Sequence, residues 1–392
     1  MKNFSQRIEN IKESPLTRWD SEIKKAMRNN GNIISLNSGQ PDFDVPSVVK
    51  EKIIKVANQP NGEGNNFYIS VQGSEEVRKA ISLFQKEVFD LDYLSEEIIL
   101  TNGAKEGIFL SLGALIDPGD EVILVAPYWS TYREIINFFG GKVAVVSTNK
   151  DFHLDIEKIE STVTKKTKAV IINSPNNPSG AVYIKKELEQ LAEIARHHNL
   201  YVISDEAYGT IRYSDIDYCS IASSEGMKDR TIIVNGFSKS FSMTGYRLGY
   251  TFSSVEIAKA MLKIKSNSTG NTNSFFQAVI ANALLDHFDE LVVSYESMRK
   301  EFEKRKNFLC KELDELGVEY VDPEGAFYVF VRIPSKSGMN SEKFSKYLLN
   351  NLGIAVAPGI FFGDDFDSYI RISFASSIEN IKEATRRIKG II

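Results

Sequence analysis

The chain has 392 residues, of which 42% are hydrophobic and 25% charged, and a formal net charge of −5. The length exceeds the roughly 250–300 residues at which one core stops growing, so two domains are expected, and the composition excludes disordered and fibrous chains. No block of like charge offers a footprint for nucleic acid, and Cys219, Cys310 and four scattered histidines supply neither a disulfide framework nor a metal set, so no metal is expected.

Residues 1–10 carry acidic and polar side chains where a signal peptide would need an apolar core, and no apolar run reaches the about 18 residues of a membrane span. A cytoplasmic protein without a membrane partner is the expectation. The segment 1–45 has no strand alternation, and Pro41-Asp42-Phe43-Asp44-Val45-Pro46 at its end reads as an extended connector. Strand-like runs then recur at 97–101, 121–125, 142–147, 169–173, 201–204 and 231–235, with helical patterns between several of them. That alternation predicts an α/β fold with a doubly wound, mostly parallel sheet in a large domain, 46–286. The clearest crossover is 185–198, with Leu188, Leu191, Ile194 and Ala195 on one face. After about Asp286 a long charged helix over 291–316 and short strands at 326–333 and 369–374 predict a smaller α+β domain, 287–392.

Five of these six runs, all but 142–147, lead into residues that bear chemistry. The first leads into Asn102-Gly103-Ala104-Lys105, a glycine turn opening a helix whose first N–H groups suit a phosphate. The next leads into Pro127-Tyr128-Trp129, whose indole either stacks on a ligand or anchors the core. Asn176-Asn177-Pro178-Ser179-Gly180 follows 169–173 and also has the composition of a plain turn. Asp205-Glu206-Ala207-Tyr208 follows 201–204, where Asp205 also suits a helix cap. Behind 231–235 come Ser238-Lys239 and Thr244-Gly245-Tyr246-Arg247. Parallel strand ends lie side by side on one sheet edge, so an amide, a carboxylate, a phenol and an amine would converge there. In Ile370-Arg371-Ile372-Ser373-Phe374 the apolar residues share one strand face, leaving Arg371 on the other, either solvated or forked onto a carboxylate.

One cofactor uses all of these groups. Pyridoxal 5′-phosphate takes a lysine for its aldehyde, a carboxylate at its pyridine nitrogen, hydrogen bonds to its ring oxygen and an anion site for its phosphate. Lys239, Asp205, Tyr208 with Asn177, and the Gly103 turn with Ser238 and Arg247 are the respective candidates.

The ordered set Gly39-Gln40-Pro41-Asp42-Phe43, Tyr68, Gly73, Arg78, Gly103-Ala104-Lys105, Pro127-Tyr128-Trp129, Asn177-Pro178-Ser179-Gly180, Asp205-Glu206-Ala207-Tyr208, Ser238-Lys239, Thr244-Gly245-Tyr246-Arg247 and Arg371 resembles the class I, fold-type I pyridoxal-phosphate aminotransferases of the bacterial aspartate/aromatic kind. The resemblance runs from about Ser35 to the C-terminus. It implies a transaminase with Lys239 as Schiff-base lysine and proton shuttle, Asp205 at the pyridine nitrogen and Tyr208 and Asn177 at the ring oxygen. It implies Trp129 against the ring and Gly103, Ala104, Lys105, Ser238 and Arg247 around the phosphate. Tyr68 would reach the phosphate of a neighbouring subunit, which implies a homodimer with shared sites. Gly39 would lie against the substrate, with Trp129 and Asn177, while Arg371 takes its α-carboxylate. Segment 1–45 would associate with the small domain. Ser179 in place of the usual threonine, and Gly236 where some relatives carry a phosphate-binding serine, depart from the pattern. Lys263, Lys265, Arg18 and Trp19 are the candidates for reading a substrate side chain. Elimination, cyclisation or oxidation of an amino acid on the same residues is the alternative chemistry. An aminotransferase-like sensor of a transcription factor is a third reading, disfavoured because the first 40 residues lack the length and basic charge of a DNA-binding module.

Overall fold

A computed structural model describes residues 4–29, 31–60, 66–213, 216 and 218–389. The first three and last three residues, which fall within the expected N-terminal segment and small domain, lie outside that range.

In chain order the strands are β1 (Ile34–Ser35), β2 (Ile98–Thr101), β3 (Glu121–Ala126), β4 (Lys142–Ser147), β5 (Thr167–Asn173), β6 (Tyr201–Asp205), β7 (Thr231–Gly236), β8 (Gly249–Phe252), β9 (Tyr320–Val321), β10 (Tyr328–Arg332), β11 (Ile354–Ala355), β12 (Ala357–Pro358) and β13 (Tyr369–Ser373). Seven of them form one sheet in the order β2-β8-β7-β6-β5-β3-β4. The pairs β3/β4, β3/β5, β5/β6 and β6/β7 are parallel, and β8 alone runs against its neighbours β2 and β7.

The near-continuous apolar strands follow from burial on both faces. Leu124, Ile171, Ile203 and Ile232 point into one core with Ile108 and Leu112 of the helix Ala104–Leu115. Ile123, Val170, Ile172 and Val202 point into the opposite core, closed by Leu188, Leu191 and Ile194 of the helix Lys185–His197. The edge strand β4 is partly exposed along its length, as an edge needs only one covered face.

A second, antiparallel sheet runs β12-β13-β10-β9. The helix Phe288–Glu315 lays Met298, Phe302, Leu309 and Leu313 onto Phe327, Tyr328, Ile372 and Phe374 of this sheet and its flanks. Ile34 and Leu36 join the same core, and β1 pairs in parallel with β11.

Two features depart from the sequence reading. The antiparallel β8 has no counterpart among the expected strands. On β13 Arg371 and Ser373 are as buried as Ile370 and Ile372, so the strand has no solvated face.

Candidate active site

The C-terminal ends of β5, β6 and β7 are adjacent because the three strands are neighbours in register, with Asn173 opposite Asp205 and Asp205 opposite Val234. Asn173 ties two of these ends together: its Nδ2 donates to the Asp205 carbonyl and its Oδ1 accepts the Asn177 N–H, both at 2.8 Å.

Asp205 is buried, and its Oδ2 accepts from the Tyr132 hydroxyl at 2.6 Å while Oδ1 accepts the Ala207 N–H at 3.2 Å. Burial raises its pKa, opposed by those two hydrogen bonds and by the charge of Lys239. The neighbouring Glu206 is satisfied elsewhere, by the hydroxyls of Ser204, Ser220 and Tyr218, and burial pushes it up to about 7. Of the two consecutive carboxylates, Asp205 accepts from the Tyr132 hydroxyl and Glu206 from that of Tyr218.

Lys239 sits in the short helix Phe237–Ser240, after Ser238, and its Nζ donates to the Gly39 carbonyl. The ammonium lies 5.8 Å from the ring centres of both Tyr208 and Phe327. Burial, the positive charge of Arg371 and more weakly that of Arg247 push its pKa down to about 8, against the pull of Asp205. About a tenth of the amine is then neutral at pH 7, far more than for an ordinary lysine, and a nucleophilic lysine requires that form.

Arg371 is 3% exposed. Its Nη1 donates to Asn177 Oδ1 and its Nη2 to the Asn37 carbonyl, each at 2.8 Å, and its Nε is buried with no hydrogen-bond partner. Its guanidinium is held between the rings of Tyr328, at 4.3 Å, and Phe362, at 5.1 Å. A buried cation with no carboxylate partner among the described residues and an unused donor is poised for an anionic ligand.

The Gly103 turn is shaped for close approach. Gly103 has φ +78°, and a Cβ there would collide with the Arg247 guanidinium. Gly249 allows the contact from the other side, since a Cβ on it would come within 2.6 Å of the Gly103 backbone. The helix that follows has no side-chain cap, leaving the N–H groups at Ala104 and Lys105 without a side-chain acceptor. Arg247, in the left-handed region at φ 55°, donates from Nη2 to the Asn102 carbonyl at 3.1 Å and from Nη1 to the Thr244 carbonyl at 3.0 Å.

Trp129 is partly buried and meets Tyr132 edge-on at 5.6 Å. Lys105 Nζ lies 5.0 Å from the centre of the Trp129 ring, and burial followed by the charge of Arg247 lowers its pKa. Tyr208 is buried with its hydroxyl 2.9 Å from that of Tyr328. Tyr68 is 96% exposed.

Two expected side-chain readers are committed elsewhere. Lys265 is buried against Glu106, and Trp19 is buried with its indole N–H donated to the Val356 carbonyl at 2.7 Å. Arg18 is exposed. Tyr132 and Tyr328, which the sequence reading missed, hold Asp205 and Tyr208; only the strand and helix positions that carry them could have pointed to them.

The donor set fits pyridoxal phosphate: a lysine of lowered pKa, a buried carboxylate one strand away, a phenol and an amide, and a turn in which only glycine fits beneath an arginine. Among the described residues the cations Lys105, Lys239, Arg247 and Arg371 outnumber Asp205, and the other carboxylate at the turn, Glu106, is already paired with Lys265, a balance suited to a phosphate and a substrate carboxylate together.

Residues 31–388 match the family model described as Aminotransferase class I and II. The chain is 39% identical to an aspartate aminotransferase of Thermotoga maritima over 391 residues, covering 99% of each chain. It is 38% identical to a probable aspartate/prephenate aminotransferase of Aquifex aeolicus over 99% of this chain and 98% of that one. Among solved structures, the aspartate aminotransferase of Thermus thermophilus with maleate superimposes with a TM-score of 0.94 at 34% identity, covering 100% of both chains.

Proposed function

The chain belongs to the class I and II aminotransferases and is a pyridoxal-phosphate-dependent transaminase moving an amino group between an amino acid and a 2-oxo acid; from that premise we infer that its amino donor is acidic, aspartate first. The observation that carries the choice is Lys105. Its ammonium stands over Trp129 and makes no ion pair among the described residues. Aspartate brings two carboxylates: Arg371 would take the α-carboxylate through its fork, and Lys105 the other. The relatives named as aspartate aminotransferases, and the Thermus structure with a dicarboxylate, support the same reading.

The cofactor, when bound, supplies an aldehyde that joins an amine and a protonated ring that draws electrons from Cα. Asp205, whose carboxyl accepts from Tyr132 and the Ala207 N–H, would hold the proton on the ring nitrogen. Tyr208 and Asn177 would bond the ring oxygen, and Trp129 would cover the ring face. Gly103, the N–H groups of Ala104 and Lys105, Ser238 and Arg247 would hold the phosphate. Gly39 would border the substrate backbone. Lys239 Nζ, as free amine, would take the Cα proton and deliver it to the cofactor side; a pKa of about 8 suits it to both halves of that transfer.

A homodimer belongs to the same proposal, supported by Tyr68, an aromatic left almost fully exposed by its own chain. So does division into a segment 1–45, a large domain 46–286 and a small domain 287–392, supported by the β1/β11 ladder and the packing of Leu36 with Phe327 and Ile372. A cytoplasmic location completes it; among the described residues no helix is long and apolar enough to cross a membrane.

The test is a half-reaction. Mixing the holoenzyme with single amino acids is expected to convert the cofactor absorbance fully with L-aspartate and L-glutamate, with ping-pong kinetics once a 2-oxo acid is added. Conversion by aromatic amino acids alone would remove the acidic-donor assignment. Ammonia released without an acceptor would instead favour elimination.

A further inference from the structure

Tyr328 lies at the junction of three groups that the proposed mechanism uses separately. Its ring is fully buried on β10, and its face sits 4.3 Å from the Arg371 guanidinium. Its hydroxyl is 2.9 Å from the hydroxyl of Tyr208. The same oxygen closes off Gly39, where a Cβ would stand only 3.3 Å from it. Gly39 in turn accepts the hydrogen bond from Lys239. The charged groups facing this pair of phenols are Arg371, Asp205 and Lys239; Phe327 and Phe302 back it with apolar surface.

We propose that Tyr328 is a positioning residue that donates its hydroxyl proton to Tyr208, fixing Tyr208 as the donor to the cofactor's ring oxygen, while its ring fixes the plane of Arg371. The proposal rests on the assignment of Tyr208 to that oxygen. Two phenols sharing one hydrogen bond leave one of them with a proton to give elsewhere. Burial raises both phenols, and the Arg371 charge opposes the rise in both; it stands 4.3 Å from the Tyr328 ring, and Tyr328 is the less raised of the two, so Tyr328 gives and Tyr208 is left free to donate onward. A donor polarised in this way favours the anionic form of the oxygen it bonds. With the cofactor bound, its absorbance would then titrate at lower pH. The ring acts independently of the hydroxyl, because a guanidinium pressed between Tyr328 and Phe362 cannot tilt away from a carboxylate in front of it.

Tyr328→Phe and Tyr328→Leu separate the two roles, with Tyr208→Phe as control, each titrated as holoenzyme by its cofactor absorbance. Tyr328→Phe is expected to move the midpoint upward by about 0.5 pH unit, roughly a threefold change in proton affinity, with KM for L-aspartate unchanged within about twofold. Tyr328→Leu is expected to show the same midpoint shift and an about tenfold higher KM. If Tyr208→Phe moves the midpoint and Tyr328→Phe leaves it in place, the role proposed for Tyr328 is overturned while Tyr208 keeps its assignment. If neither moves it, the assignment of Tyr208 fails and the proposal with it. Equal KM values for Tyr328→Phe and Tyr328→Leu would remove the role of the ring.

Discussion

A lysine ammonium with none of its side chain exposed needs a carboxylate, and Lys265 has Glu106, 3.2 Å away across two elements. Glu106 also accepts from Asn102 N and Nδ2 and from Thr269, so one buried carboxylate joins the Gly103 turn to the loop after Ser266. Removing one partner of a buried pair leaves an unpaired charge, typically at a cost of about 3–5 kcal/mol. Lys265→Met is therefore expected to lower stability to urea by that order and to weaken cofactor binding, while adding Glu106→Leu recovers part of the stability. A double variant no more stable than the single one would contradict the pairing. In sequence Lys265 reads as a cation beside a polar loop, because its partner lies 159 positions away. Lys239, Asp205 and Asn177 were legible for the opposite reason: each follows an apolar run, and neighbouring strand ends bring them together.

At the scale of elements, the parallel strands and the helix Lys185–His197 could be read because their apolar patterns are long and uninterrupted. β8 could not. It is four residues long, opens on a glycine and reverses direction between β2 and β7, and no local pattern distinguishes it from a loop. Yet β8 sets the Gly103 turn, since Gly249 is opposite Thr101 and lies against Gly103. Gly249→Ala is expected to force that turn away from Arg247, raising the cofactor dissociation constant by at least about tenfold, measured by equilibrium dialysis. Gly245→Ala, where an added Cβ would meet nothing within 4 Å, is the control and should bind as before. Equal affinities in the two variants would show that the close approach is not needed.

Across the whole molecule, a joint between the two sheets runs through His153, which stands between Glu187 of the helix Lys185–His197, 3.0 Å from Nδ1, and Glu324 ahead of β10, 3.7 Å from Nε2. Glu324 also accepts the Val182 N–H, and the Glu324 and Gly325 N–H groups donate to the Gly180 carbonyl, just after Asn177. The bond to Glu187, against burial, raises the His153 pKa above 6.5, with the charges of Glu187, Glu324 and Asp151 adding to the rise. A raised folded-state value means stabilisation that is fully present below the unfolded value and lost as pH rises through the folded one. Thermal melts of the wild type are therefore expected to lose an increment between about pH 6.5 and alkaline pH that His153→Gln lacks; parallel pH curves would contradict the clamp. Contacts this distant in sequence explain why the joint between sheets was not legible although both sheets were. The central claim is that one lysine, at the end of β7, receives the cofactor from a site assembled by all these elements. Reducing the holoenzyme with borohydride and mapping its peptides tests it most directly: the cofactor mass should appear on the peptide containing Lys239, and its appearance on any other lysine would contradict the account.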